Sequence, residues 1–357
     1  MNRILISGPP GLLIFILAAF SDPHESLQNT PRNVTDPSPL DFPIKGITVL
    51  YNAEDSPQIF RKDVVIAKTL GAKWIQIQVA YYTRDERSAG FPVFDRRTPT
   101  PTQLTKAIDF VVEQGCKVAI HPILLIQDEN SIYWRGEYSP TALDCWWRDY
   151  SVWMRDLAQV CTRARVPLLI IGSELTSLQN KTALWTALID QLRIVYSGGL
   201  GYSSNWDSWQ SIRFHEKLDL VGINGYFPLI ERNAPINRAH SQTEYEARLL
   251  PHLSALNLWK QSHQTPMIFT EVGYPANGPD LSRPWRHSNK PTTMTEGDQQ
   301  LAGFRSFMNV FGQAGPQQGI FFYALHGHDP SSNSGYTPVN KRTQSIWSKY
   351  LQEEHTK

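Results

Sequence analysis

The chain has 357 residues, of which 41% are hydrophobic and 19% charged, and its formal net charge at pH 7 is +1. This length suits one large domain or two modest ones, and the apolar content can fill a sizeable core. The small net charge, without blocks of like charge, argues against nucleic acid or an acidic polymer as a partner.

The first residues predict export. Residues 1–3 carry one positive charge, and the apolar stretch 4–20 follows them. Gly-Pro-Pro-Gly at 8–11 interrupts this stretch and leaves residues 12–20, which are too few to span a bilayer comfortably. We interpret residues 1–21 as a secretory signal peptide or an uncleaved N-terminal anchor. Either way we expect a secreted, periplasmic or cell-surface protein, with no stable membrane association beyond such an anchor.

A linker and one large domain are predicted after this segment. Residues 22–43 contain five prolines among serine, asparagine and aspartate. That composition is typical of an extended segment without a core. We therefore expect the folded body to occupy residues 44–357.

Short β-rich runs alternate with helical patterns throughout the body. The predicted strands are residues 44–50, 73–79, 117–123, 168–172, 199–204, 219–225, 266–271 and 319–325. Helical periodicity is found at residues 61–72, 100–116, 146–164, 181–196 and 297–314. Eight such strands predict an α/β fold, a single-domain (β/α)8 TIM barrel. A doubly wound sheet is the main alternative, but no glycine-rich phosphate loop follows the first strand.

Two glutamates lie where predicted strands end. Glu174 follows the fourth strand and Glu271 closes the seventh. Active sites of such barrels form at the C-terminal ends of the strands, so we expect both acids at one mouth. Two carboxyl groups about 5 Å apart serve retaining glycoside hydrolysis, and about 6.5–9.5 Å suits the inverting reaction. One acid must carry a proton and the other must be ionised, and their mutual repulsion separates the two pKa values.

Other strand ends supply polar and aromatic side chains. A set of this kind is typical of a sugar-binding site, although each member alone is more often structural. The candidates are His121 in strand three, Asn205, Trp206 and Asp207 after strand five, Asn224 and Tyr226 after strand six, and Tyr323 in strand eight.

Metal and disulfide chemistry find little support in the sequence. His326 and His328 would need a third ligand that the sequence does not show, so we predict no metal site. The three cysteines, Cys116, Cys145 and Cys161, form no CxxC motif. We expect three buried thiols, although one disulfide of undecided pairing is an alternative.

Five stretches in order resemble glycoside hydrolase family 113, in the clan A group of retaining barrel enzymes. They are "YWRGEYSP" (133–140), "IIGSELTSL" (170–178), "GYSSNWD" (201–207), "LVGINGYFPL" (220–229) and "TEVGYPANGPDLSRPW" (270–285). The resemblance covers about residues 44–350. It implies a carbohydrate substrate, most often β-1,4-mannan or manno-oligosaccharides, and catalysis without a cofactor.

The resemblance also implies roles for individual residues. Glu174 would be the general acid/base and Glu271 the nucleophile, and Tyr226 would donate a hydrogen bond to the nucleophile. Residues expected to form the sugar subsites are Trp134, Arg135, Trp206 and Trp285.

Three positions depart from common patterns of the clan. Ser173 precedes the acid/base where many members have asparagine, and strand eight has Tyr323 where many have tryptophan. Asn224 stands where many relatives have an acidic residue. These departures bear on the identity of the sugar more than on the mechanism.

Several related functions stay open at this point. Glucan, chitosan or another cell-wall polymer could replace mannan, and a transglycosylase would use the same two acids. A carbohydrate-binding barrel without turnover is the rival from another class. The two glutamates argue against that rival, because a pair of close acids is costly to keep.

Overall fold

The computed structural model describes residues 40–128, 131–232, 240–276, 281–286, 298–312, 315–327, 335–339 and 341–353. The predicted signal segment, most of the predicted linker and His328 lie outside these residues.

Eight parallel strands form a closed barrel in which each strand pairs with the next in sequence and β8 pairs with β1. The strands are β1 (Ile44–Tyr51), β2 (Trp74–Thr83), β3 (Lys117–Ile126), β4 (Leu168–Ser173), β5 (Gly199–Asn205), β6 (Leu220–Asn224), β7 (Met267–Val272) and β8 (Gly319–Leu325). The predicted (β/α)8 barrel is confirmed.

Seven helices accompany the barrel within the described residues. They are α1 (Pro57–Thr69), α2 (Pro101–Glu113), α3 (Leu143–Arg163), α4 (Thr182–Val195), α5 (Gln242–Ser262), α6 (Asp298–Phe311) and α7 (Gln344–Gln352). Helices α5 and α7 were not predicted from the sequence. Helix α5 contains Pro251 and lacks a continuous apolar stripe, and α7 has only nine residues, so neither gives a strong periodic signal.

Local sequence signals determine where α2 begins and ends. The Thr100 hydroxyl accepts a hydrogen bond from the Gln103 N–H, and the Gln103 side chain accepts one from the Thr100 N–H. This capping box, with Pro101 in the first turn, satisfies N–H groups that have no partner within the helix. Gly115 then reverses the chain with φ at +72°, a conformation that favours glycine.

The barrel interior changes from apolar to polar toward the mouth. Apolar side chains form a contiguous lower layer: Ile44, Trp74, Ala119, Leu168, Ile170, Leu220, Ile268 and Phe321. Alternate residues of a strand face the same side, so the next inward positions along each strand lie above this layer. Several of those positions are polar; the Gln76 amide, for example, donates to the Thr48 hydroxyl at 2.8 Å. The lower layer stabilises the barrel, while the upper one is available for chemistry.

All three cysteines are free thiols. Cys116 and Cys161 are buried as expected, but the expectation of burial is wrong for Cys145. Cys145 lies in the first turn of α3 next to the exposed Asp144, whereas the buried face of that turn begins with Trp146.

No helix in the described parts of the chain is both long and apolar enough to cross a membrane.

Candidate active site

A cavity of about 490 Å³ opens at the C-terminal ends of the strands. Its wall consists of Trp134, Arg135, Glu174, Asn205, Trp206, Asp207, Tyr226, Arg232, Glu271, Trp285, Tyr323 and Tyr336. The two predicted acids therefore share one cavity.

An irregularity in β4 precedes the first acid. Ile170 pairs with Gly201 and Ser173 pairs with Ser203, so three residue steps of β4 oppose two steps of β5. Such bulges re-aim side chains and are frequent beside active sites. Glu174 follows with φ at +53°, and its N–H donates to the Ser203 carbonyl at 2.8 Å. A non-glycine residue in this left-handed region costs about 1–2 kcal/mol, and conformations of this kind cluster at functional sites.

The Glu174 carboxylate accepts a hydrogen bond on each oxygen. The Asn224 amide donates to Oε1 at 2.8 Å, and the Arg135 guanidinium contacts Oε2 at 2.7 Å. Burial lowers the pKa of Arg135, but the Glu174 and Glu271 carboxylates reverse this effect and leave the pKa above its ordinary value. Arg135 is therefore a permanent cation in the cavity wall.

A second bulge places Glu271 in the interior. Ile223 pairs with Phe269 and Asn224 pairs with Glu271, so two residue steps of β7 oppose one step of β6. Without the extra residue, Thr270 and Glu271 would face opposite sides of the sheet. With it, the Thr270 hydroxyl donates to the Asn224 side-chain oxygen at 3.0 Å, and Glu271 also lies inside the barrel.

Two neutral donors hold the Glu271 carboxylate. The Tyr226 hydroxyl donates to Oε2 at 2.7 Å, and the Gln78 amide donates to Oε1 at 2.8 Å. Burial and the neighbouring Glu174 charge raise the pKa of Glu271 to about 7, although Arg135 and the two donors oppose this rise. Burial and the Glu174 charge thus favour the protonated form of Glu271, whereas Arg135, Tyr226 and Gln78 favour the ionised form.

His121 lies in β3 and has no exposed surface. Burial and the Arg135 charge lower its pKa to about 3, so the imidazole is neutral. Its Nδ1 lies 3.9 Å from Glu271 Oε1, too far for a hydrogen bond, and neither ring nitrogen has a partner among the described residues. The structure thus places His121 next to the nucleophile candidate and not in the cavity wall.

Three tryptophans border the cavity. The rings of Trp206 and Trp285 stack with centroids 6.2 Å apart and planes 22° from parallel. Trp285 is 36% exposed and Trp134 is 40% exposed. These flat apolar surfaces can receive the C–H face of a sugar ring.

Gly136 allows Trp134 to take up its position. A Cβ atom at Gly136 would lie 2.3 Å from Cζ2 of the Trp134 ring, so only glycine fits beneath it. Gly136 belongs to a short 3-10 turn, Arg135–Glu137, which is joined to the segment after Glu174. The Ser177 N–H donates to the Gly136 carbonyl at 3.0 Å, and the Ser177 hydroxyl donates to the Tyr138 carbonyl at 2.6 Å.

Nine of the eleven predicted site residues line the cavity. His121 and Asn224 do not, because both are fully buried, and Asn224 instead contacts Glu174. Asp207, which follows strand five with Asn205 and Trp206, lines the cavity as well. Prediction from the sequence missed the cavity residues Arg232 and Tyr336, as well as Gln78 behind Glu271. Only Gln78 had a visible signal, since Gln76 and Gln78 alternate with isoleucine along β2 and so face the interior.

No group of three or more potential metal ligands occurs among the described residues. The arrangement instead offers two buried carboxyl groups in one cavity, with a neutral hydroxyl and amide on one of them and a cation on the other. Such a site can carry out general acid/base and nucleophilic catalysis on a bound sugar.

The model of the family Glycoside Hydrolase Family 113 matches residues 56–341. A comparison with curated protein sequences gives no match.

Solved structures of β-1,4-mannanases from this family share the fold. One has a TM-score of 0.75 at 16% identity and covers 88% of this chain and 100% of its own. AaManA from Alicyclobacillus acidocaldarius, a β-mannanase in complex with ManMIm, has a TM-score of 0.75 at 18% identity and covers 87% and 97%. A β-glucuronidase from Faecalibacterium prausnitzii is less similar: its TM-score is 0.59 at 13% identity, with 87% of this chain covered but 49% of its own.

Proposed function

Because the chain belongs to glycoside hydrolase family 113, we propose that it is an exported retaining hydrolase that cleaves β-1,4-mannan or manno-oligosaccharides. Membership of the family makes the chain a glycoside hydrolase and confirms the resemblance found in the sequence. The mannan substrate is proposed because the similar structures named above are β-1,4-mannanases. The exposed tryptophans at the cavity support a polymeric or oligomeric sugar.

In the proposed reaction Glu271 attacks the anomeric carbon while Glu174 protonates the departing glycosidic oxygen. A covalent glycosyl-enzyme forms, and Glu174 then removes a proton from the water that hydrolyses it. The configuration at the anomeric carbon is retained after two inversions. The observation that carries this assignment is how the two acids are held. Tyr226 and Gln78, two neutral donors, fix the Glu271 carboxylate within the barrel, whereas Glu174 lies on the segment that follows β4.

The substrate is tested by a time course with product sizing on β-mannan, glucan, chitosan and peptidoglycan. We expect mannan to be shortened and the other polymers to be left intact. Glu271→Gln should abolish the reaction, and Glu216→Gln, which changes an exposed glutamate outside the cavity, should leave it unchanged. Cleavage of another polymer in preference to mannan would refute the substrate assignment.

Azide separates the roles of the two acids. With an activated aryl β-mannoside, Glu174→Ala should still form the glycosyl-enzyme, and azide should release a β-glycosyl azide from it. Glu271→Ala should instead yield an α-glycosyl azide, because azide replaces the nucleophile and inverts the centre once. Exchange of these two products between the variants would reverse the assignment.

Export is proposed from residues 1–21 and the predicted linker at residues 22–43. Expression of the full chain and of a chain that begins after residue 21, followed by fractionation, tests it. Equal retention of both chains in the cytoplasm would contradict export.

A further inference from the structure

A tyrosine outside the strands is bonded to the backbone beside one of the cavity tryptophans. Tyr336 lines the cavity, and its hydroxyl donates a hydrogen bond to the Pro284 carbonyl at 2.8 Å. The next residue along the chain is Trp285, whose ring is partly exposed at the cavity. The Pro284 carbonyl and the Trp285 nitrogen belong to one planar peptide group. The Tyr336 hydroxyl therefore restrains the backbone from which the Trp285 ring projects.

The backbone of Tyr336 is itself held from two sides. The buried Gln300 side chain on α6 donates to the Tyr336 carbonyl at 2.8 Å and to the Tyr274 carbonyl at 3.0 Å. The Ala276 N–H donates to the Gly335 carbonyl at 3.0 Å. These bonds connect Tyr336 to α6 and to the segment that follows β7. Its hydroxyl is therefore a donor in a fixed position.

The Tyr336 ring belongs to a cluster of three tyrosines beside Glu271. Its centroid lies 5.3 Å from that of Tyr323 and 6.1 Å from that of Tyr226, and both contacts are edge-on. Gly273 leaves room for this ring, because a Cβ atom there would lie 2.9 Å from Cδ1 of Tyr336. Tyr226 in turn donates to the Glu271 carboxylate. The ring and the hydroxyl of Tyr336 thus contact different parts of the site.

Trp206 supports the Trp285 ring by stacking. The Trp206 ring packs edge-on against Phe227 and His252, so the barrel side of the structure holds it in place. Aromatic pairs tolerate a range of offsets, however, and a stack alone leaves the outer ring able to slide. The hydrogen bond to Pro284 opposes such a shift, because it restrains the backbone at Trp285.

We propose, on the basis of the hydrolase function proposed above, that Tyr336 is a positioning residue for sugar binding. Its hydroxyl holds the Trp285 ring where a sugar ring of the substrate stacks on it. The ring of Tyr336 packs against Tyr226, and phenylalanine keeps that packing. Tyr336→Phe therefore separates the two contacts: it should weaken binding of the glycan and leave the arrangement around Glu271 intact.

NMR tests the position of Trp285 without a substrate. Indole N–H signals are recorded from protein that contains nitrogen-15 tryptophan, and the Trp285 signal is assigned from Trp285→Phe. This signal should shift in Tyr336→Phe. It should not shift in Tyr196→Phe, the matched control, whose buried hydroxyl donates to the Val166 carbonyl at the same distance of 2.8 Å. A Trp285 signal that keeps its position in Tyr336→Phe would overturn the proposal.

Kinetics with the glycan that the product analysis identifies test the effect on binding. In Tyr336→Phe we expect KM to rise about two- to tenfold, the effect of one neutral hydrogen bond, with kcat changed less than about twofold. Tyr196→Phe should keep the KM of the wild type. A purely structural role would lower the unfolding temperature of both variants and leave KM unchanged. A fall in kcat at constant KM would locate the effect at Glu271, and either result would refute the proposal.

A double-mutant cycle tests whether Tyr336 acts through Trp285. In the Trp285→Ala background, Tyr336→Phe should raise KM little further, because the ring that the hydroxyl positions is gone. In the Trp134→Ala background it should raise KM by its full factor. Full factors in both backgrounds would show that Tyr336 does not act through Trp285. The NMR result does not depend on the substrate, so failure of this proposal is distinguishable from failure of the mannanase assignment.

Discussion

Replacing Tyr226 with phenylalanine removes one hydroxyl from the acid pair and little else. The hydroxyl donates to Glu271 Oε2 at 2.7 Å. The ring packs edge-on against Tyr323 and Tyr336 at centroid distances of 6.0 and 6.1 Å, and phenylalanine preserves that packing. The variant therefore isolates the contribution of a single hydrogen bond to the nucleophile candidate.

The magnitude follows from the chemistry of that bond. A hydrogen bond to a charged group contributes about 1.5–3 kcal/mol, and 1.36 kcal/mol corresponds to about one pKa unit. Without its donor the ionised form of Glu271 loses that stabilisation, so its pKa, already raised to about 7, rises by about 1–2 units more. Because Glu271 must be ionised to attack, we expect the acidic limb of kcat/KM to move to higher pH and the plateau to fall roughly 10- to 100-fold.

The assay is a pH profile of kcat/KM for a manno-oligosaccharide, with thermal unfolding of each variant as a check on folding. Tyr196→Phe is the matched control, because the buried Tyr196 hydroxyl donates to the Val166 carbonyl at 2.8 Å outside the cavity wall. It should lose similar stability and keep the wild-type profile. An acidic limb that stays in place in Tyr226→Phe would refute the reasoning.

Two further predictions concern the cavity and the stability of the fold. Gly136→Ala should raise KM severalfold with a smaller effect on kcat, because the new Cβ would displace the Trp134 ring. Gly90→Ala is the control, because a Cβ atom at Gly90 would meet no other atom within 4 Å. Equal KM values in the two variants would contradict the role of Trp134. Glu271→Gln should stabilise the protein at alkaline pH but not at acidic pH. The raised pKa of Glu271 favours folding below its ordinary value of 4.5, and this contribution is lost as the pH rises toward 7. The unfolding free energy is measured at about pH 5 and at about pH 8. The difference between the two values should be larger in the wild type than in the variant, by up to about 3 kcal/mol. The same pH dependence in both proteins would contradict a raised pKa of Glu271.

The positions of the two acids were predictable because strand ends in a parallel barrel share one face. Glu174 and Glu271 could be placed there from apolar runs alone. The direction of their side chains could not, because the bulges in β4 and β7 each add one residue and invert the simple alternation. If side chains alternated regularly along β7 and Thr270 faced inward, Glu271 would be predicted to face away from the barrel interior.

Contacts between side chains of distant segments could not be predicted from the sequence either. Asn224 was expected to bind the sugar, but its amide is directed at Glu174 by Ser203 and Thr270, which come from neighbouring strands. Arg232 reaches the cavity from the segment after β6, and no periodic pattern marks such a residue. Periodicity reports which face of an element is buried, and it carries no information on which side chain from another element will meet it.

The network of Ser203, Asn224 and Thr270 has a consequence for engineering. These residues lie on β5, β6 and β7, so Glu174 Oε1 is held from the barrel itself. The tryptophans at the cavity lie outside the strands, at positions 134, 206 and 285. A library that varies those positions would change which glycan is accepted while the reactive groups keep their geometry. Mutations in the network should impair turnover on every glycan alike, which makes these three residues the ones to hold constant in directed evolution.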